Sequence, residues 1–145
     1  MIRRLLLAID DSPASLAASR VANELATALH ARLRVVHVSA NHVLDAALEA
    51  ATGRPEARLR RTRSENLLLA RAAQRAEAAG IVVDTALLAG PVGAAILTAA
   101  KAWPADLVVV GRSARARGGE PYIGSQTQHV LEFADQPVLV IPAPS

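Results

Sequence analysis

The 145-residue chain is long enough for one domain with a substantial core, and its 52% hydrophobic but only 2% aromatic content points to an aliphatic interior. Its formal charge of +3 rests almost wholly on arginine, with Lys101 the one lysine, a balance that permits nucleic-acid binding without calling for it. There is no cysteine, which excludes disulfides and thiolate chemistry. No apolar run approaches the ~18 residues that would span a bilayer. A cytoplasmic protein with no membrane role is expected.

Residues 5–9 form an aliphatic run cut at once by Asp10-Asp11, so the start reads as a buried first strand rather than a leader. Ser12 and Pro13 are an N-cap and first helical residue, opening a helix to about Leu29. A second strand is expected over 33–38. Asn41 can then cap a helix through about Ala51, which Thr52-Gly53-Arg54-Pro55 breaks. A long helix continues to Ala79, with Gly80 as its terminator. The apolar run 81–88 is a third strand, and Gly90-Pro91 opens a helix that ends near Trp103-Pro104. Strands at 107–110 and 137–141 flank a last helix, which starts at Ser125 and stops before Gln136-Pro137. Continuously apolar strands alternating with helices predict an α/β fold, a doubly wound five-stranded parallel sheet sandwiched by helices, in a single domain over 1–145.

The segment from Gly111 to Ser125 carries the most chemistry. It joins the end of an apolar strand to a helix start through a glycine-bearing loop, with Gly124 and Ser125 at the helix. Such a turn aims the unpaired N–H groups of a helix N-terminus at the strand end, where a phosphate fits. In a doubly wound sheet, ligands bind outside the carboxyl ends of the strands. The ends at Asp10, Val38 and Gly111 would then share one edge.

These residues resemble the universal stress protein family over essentially the whole chain. The resemblance rests on Ala8-Ile9-Asp10-Asp11-Ser12, Val36-His37-Val38 and the segment 105–111. It extends to Gly124-Ser125-Gln126-Thr127-Gln128-His129-Val130-Leu131 and the strand 137–141. ATP-binding members carry G-x2-G-x9-G-[S/T]. Here Gly111 and Gly124-Ser125 keep the outer spacing, while the inner glycine position is Ala114, preceded by Ser113. The resemblance implies a stress-response regulator or sensor for ATP or another adenine nucleotide, with or without Mg. Since the sequence offers no evident general base or metal-carboxylate cluster to activate water, at most slow hydrolysis is expected. The resemblance implies that Asp10 faces the ribose and Val38 the adenine through its backbone, while Gly111, Ala114, Gly124, Ser125 and Gln126 lie around the phosphates. It also implies a homodimer through the last strand, Val138, Leu139, Val140 and Ile141. An alanine held at positive φ costs roughly 1 kcal/mol or more. Ala114 and Ser113 therefore favour the alternative, a dimeric interaction module without nucleotide that acts through protein partners.

Other chemistries are weaker. Asp10-Asp11 could begin a phosphoacceptor site, but the third strand ends Leu88-Ala89-Gly90 and the last carries no lysine. Ser125 and His129 stand one helical turn apart, without an orienting acid. His30, His37, His42 and His129 lack metal-ligand spacing, and His37 reads as a packed, hydrogen-bonded imidazole. No catalytic or metal-binding residue is expected. Arg58, Arg60, Arg61 and Arg63, near Glu56 and Glu65, read as a solvated helical face with no aromatics to stack on bases. The loop 112–122, with three Arg and Tyr122, reads either as a phosphate-closing flap or as a solvated loop.

Overall fold

The computed structural model describes residues 1–39, 42–112 and 124–144. Five strands form one parallel sheet: β1 (Arg4–Ala8), β2 (Arg32–Ser39), β3 (Val83–Ala89), β4 (Leu107–Gly111) and β5 (Val138–Ile141), in the order β3-β2-β1-β4-β5. The register aligns Leu5 with Leu33 and with Leu107, and Ala8 with Val36 and with Val110. The order reverses between β1 and β4, the position where such sheets open a crevice.

The alternation of side chains splits the aliphatic residues into two cores. Leu5, Leu7, Leu33, Val35 and Val109 pack under α1 (Pro13–Leu29) and α3 (Glu56–Ala78), against Ala18, Ala22, Ala26, Leu69, Ala72 and Ala76. Leu6, Val36, Val38, Val108 and Val110 pack on the other face under α4 (Val92–Ala102) and α5 (Ser125–Phe133). The remaining helix, α2 (His42–Thr52), lies against α3. The expected sandwich is the observed fold.

The helix signals act as their chemistry predicts. The Ser12 hydroxyl accepts from the Ser15 N–H at 3.2 Å, with Pro13 in the first turn of α1. The buried stripe of α1 is small (Ala14, Ser15, Ala18, Ser19, Ala22, Ala26), so its backbone lies close on the sheet. At its far end His30 adopts the left-handed conformation, φ 52°, while the Ala31 N–H donates to the Ala26 carbonyl. Gly80, φ 78°, closes α3 in the same way, with the Ile81 N–H on the Ala76 carbonyl. That use of Ile81 explains why β3 begins at Val83 rather than at 81. Likewise Pro137 lends only its carbonyl, to the Val108 N–H, and β5 proper begins at Val138.

The amino edge of the sheet is closed by polar contacts. Asp106 accepts from the backbone N–H groups of Arg3 and Arg4 at 2.8 and 3.0 Å, which holds its carboxyl below the usual carboxylate range. Nearby, Arg34 binds Asp84 through two bonds of 2.6 and 3.0 Å. Its guanidinium carbon stands 4.8 Å from the ring centroid of Trp103, at the end of α4.

Candidate functional site

At the opposite edge lies a cavity of about 1000 Å³. The ends of β1, β2 and β4 form its floor, with α1, α3, α4 and α5 around it. Of the residues expected there, Asp10, Val38, Gly111 and Gln126 line it together. Gly124 and Ser125 start α5 at this edge, just ahead of Gln126 and outside the lining. Ala114 lies outside the described residues, as does nearly all of the loop 112–122.

Asp10 is held firmly. Its Oδ1 accepts from the Ser12 N–H at 2.8 Å and from the Ser15 hydroxyl at 2.9 Å. The Ser15 oxygen in turn accepts from the Asp10 N–H at 2.8 Å. Among the described residues these bonds leave Oδ2 uncommitted, an acceptor fixed in place at the cavity floor.

Val38 contributes backbone rather than side chain. The Ile9 N–H donates to the Val36 carbonyl at 2.9 Å, so the polar groups of Val36 point toward β1. Two residues on, those of Val38 point the same way, but the paired register with β1 stops at Ala8 and Val36. An N–H and a C=O therefore face the space that β1 vacates. The Val38 side chain is buried in the core beneath.

Gly111 is a packing requirement as well as a lining residue. A Cβ there would sit 2.7 Å from the Ala14 carbonyl carbon and 2.9 Å from the Ser15 nitrogen. The absent side chain is what lets α1 approach the end of β4. Gln126 is likewise engaged within the protein: its Oε1 accepts from the Gly93 N–H at 2.8 Å, supplying the cap that Pro91 cannot. Gly93 meets α5 closely, 2.9 Å from its would-be Cβ to the His129 ring. His129 also packs on Phe133, with ring centroids 4.8 Å apart. The first turn of α5 begins at Gly124, which offers no side-chain cap to its N–H groups.

Sequence reasoning missed the α3 wall. Arg60, Arg61, Ser64 and Arg71 line the cavity, and Glu65 is only 8% exposed, so this is not simply a solvated face. The Glu65 Oε1 accepts from the Ser39 hydroxyl at 2.7 Å, and its Oε2 lies 3.0 Å from His37 Nε2. His37 Nδ1 donates to the Ile9 carbonyl at 2.7 Å, the packed imidazole that was expected. Arg61 binds Asp45 at 2.6 and 3.3 Å, and that contact raises the pKa of its guanidinium. Only the strand order, which brings 37–39 under 65, reveals the group.

Residues 1–142 match the sequence pattern of the universal stress protein family. The chain belongs to the universal stress protein family. The universal stress protein in the QAH/OAS sulfhydrylase 3' region of Thermus aquaticus is 33% identical over 144 residues, covering 97% of this chain and 99% of that protein. Among solved structures, the hypothetical protein MJ0577 superposes with a TM-score of 0.84 at 19% identity, over 100% of this chain and 99% of that one. A universal stress protein in complex with cAMP matches at TM-score 0.71 and 22% identity, over 99% and 98% of the two chains. One from Archaeoglobus fulgidus in complex with dAMP matches at TM-score 0.69 and 19% identity, over 97% and 98%. At these identities the structural likeness shows the fold. In this universal stress protein, no helix among the described residues is long and apolar enough to cross a membrane.

Proposed function

We propose that this universal stress protein binds an adenine nucleotide, ATP first, in the cavity at the carboxyl edge of the sheet, and acts as a regulator or sensor rather than a fast catalyst. The carrying observation is that one cavity joins the fixed Asp10 carboxylate, the unladdered backbone of Val38 and Gln126 in the first turn of α5, whose uncapped start lies just beyond the lining. The backbone N–H and C=O of Val38 match the donor and acceptor on the edge of an adenine. Asp10 Oδ2 suits a ribose hydroxyl. The first N–H groups of α5, at Ser125 and Gln126, suit a phosphate. The relatives solved with cAMP and dAMP support the same ligand class. Among the described residues no group of three His, Cys, Asp or Glu could hold a metal ion, so magnesium would arrive on the nucleotide's own phosphates.

Calorimetric titration of nucleotide-stripped protein with ATP, with and without magnesium, tests this. The expected result is a micromolar dissociation constant, about −8 kcal/mol. Gly124→Val should abolish it at an unchanged melting temperature, by crowding the phosphate turn. Absence of heat, with no thermal shift at millimolar ATP, would overturn the reading and favour the partner-binding module. Such a module draws support from β5, an edge strand half-buried along its length, and from exposed Leu131 and Phe133 on the neighbouring helix. Either function is compatible with a homodimer through Val138, Leu139, Val140 and Ile141. Light scattering at micromolar concentration should give twice the chain's 15.1 kDa, and a monomer there would remove the edge-pairing proposal.

A further inference from the structure

The contact between His37 and Glu65 has a proton count that its geometry dictates. Nδ1 lies 2.7 Å from the Ile9 carbonyl, which can only accept, so Nδ1 carries hydrogen. Nε2 lies 3.0 Å from a carboxylate oxygen. That second contact is a hydrogen bond only when a further proton sits between the two atoms, on the imidazole or on the carboxyl. Without it, a ring lone pair faces carboxylate lone pairs at contact distance, in a site where both side chains are nearly buried (15% and 10% exposed). The other carboxylate oxygen is already occupied by the Ser39 hydroxyl, so Glu65 cannot simply turn away.

The position of this contact gives it leverage. Leu69, Ala72 and Ala76 fix the far half of α3 on the sheet, and Glu65 meets Ser39, the last residue of β2. Residues 56–64 continue beyond, about 13 Å of helix at 1.5 Å per residue. They carry Arg60 and Arg61 along the cavity wall. Arg61 on Asp45 and Arg58 on Glu49 join this stretch to α2. The two helices thus form an arm rooted at Glu65.

We propose that His37 and Glu65 form a proton-dependent latch that positions the α2–α3 arm beside the cavity. The arm is held when the pair keeps its shared proton, and released when that proton passes to water. Glu65 and His37 are positioning residues here, and the latch belongs to the empty cavity as much as to a filled one. Among the described residues, the charged side chains that share the cavity lining with the pair are Asp10 and Asp11 from the turn after β1 and Arg60, Arg61 and Arg71 along α3, with Asp45 behind Arg61 on α2; β3 brings Leu87 opposite His37.

Amide hydrogen exchange of the ligand-free protein at pH 6 and pH 8, corrected for intrinsic rates, tests the latch without reference to any nucleotide. Protection over residues 57–64 should fall about tenfold at pH 8, while that over 69–76 stays level. Glu65→Gln supplies the decisive arm. Its amide oxygen can accept from Ser39 and its NH2 can donate to a neutral His37 Nε2, so the contact forms with no extra proton. Protection in this variant should be equal at both pH values, and Glu65→Ala should be unprotected at both. His30, His42 and His129 remain in all three proteins. Level protection in the wild type, or a pH dependence that survives Glu65→Gln, overturns the proposal. Loss of ATP affinity in Gly124→Val bears on the nucleotide reading alone.

Discussion

At the amino edge of the sheet, side chains and helix ends close the structure on itself. Asp106 takes the N–H groups of Arg3 and Arg4 where the chain enters β1, His30 and Gly80 turn the chain in left-handed conformations, and Arg34 is clamped between Asp84 and Trp103. At the carboxyl edge the same strands end raggedly. β1 stops short of β2, Gly111 gives up a side chain so that α1 can approach, and α5 begins without a side-chain cap. Among the described residues, one edge finishes its hydrogen bonds internally, whereas the other leaves donors and acceptors pointing into a cavity. Helix polarity contributes: α1, α4 and α5 each follow a strand and start at the carboxyl edge, which gathers the positive ends of their dipoles there.

Substitution can break this contrast. Gly111→Ala should have the largest effect, because its Cβ would fall 2.7 Å from the backbone of Ala14 rather than against a flexible side chain. A loss of about 1–3 kcal/mol is expected in denaturant unfolding. A neutral result would mean that α1 can shift, and that the carboxyl edge is softer than its packing indicates. His30→Gly at the opposite edge should act in the other direction. Relieving a non-glycine residue at φ 52° should raise stability by up to about 1 kcal/mol, less a fraction for the more flexible unfolded chain.

The smallest effect concerns acid. Asp106 has its pKa lowered by the N–H bonds of Arg3 and Arg4, so its contribution is complete above its unfolded-state titration and disappears as pH falls through the folded one. Asp106→Asn should therefore lower the melting temperature slightly at neutral pH and converge with the wild type under acid. Curves that stay parallel below pH 3 would assign the effect to shape instead of charge.

The sheet was legible because buried parallel strands must be apolar on both faces, as Leu5, Leu6 and Leu7 or Val108, Val109 and Val110 are. Ser12-Pro13 marked a helix start for equally local reasons. The ends blurred where apolar residues had other employment, as Ile81 does in closing α3. At the candidate site, Asp10 and Gly111 could be placed by strand ends alone. Their tasks within the protein could not, since the neighbours that define them, Ser15 for Asp10 and Ala14 for Gly111, come together only in three dimensions. Glu65 was hidden more deeply. Between Arg63 and Asn66 it has the look of a wet helix surface, and nothing nearby in sequence hints at Ser39 or His37.

The single tryptophan has a practical consequence for optical work. Trp103 sits with Arg34 at the sealed end of the sheet, among residues of β2 and β3 and away from the cavity. Its emission is therefore a natural gauge of global unfolding, insensitive to what enters at the other end. A chromophore introduced at exposed Leu67, which borders the cavity on α3, would supply the complementary signal. The two colours of fluorescence would then separate occupancy from integrity within one sample.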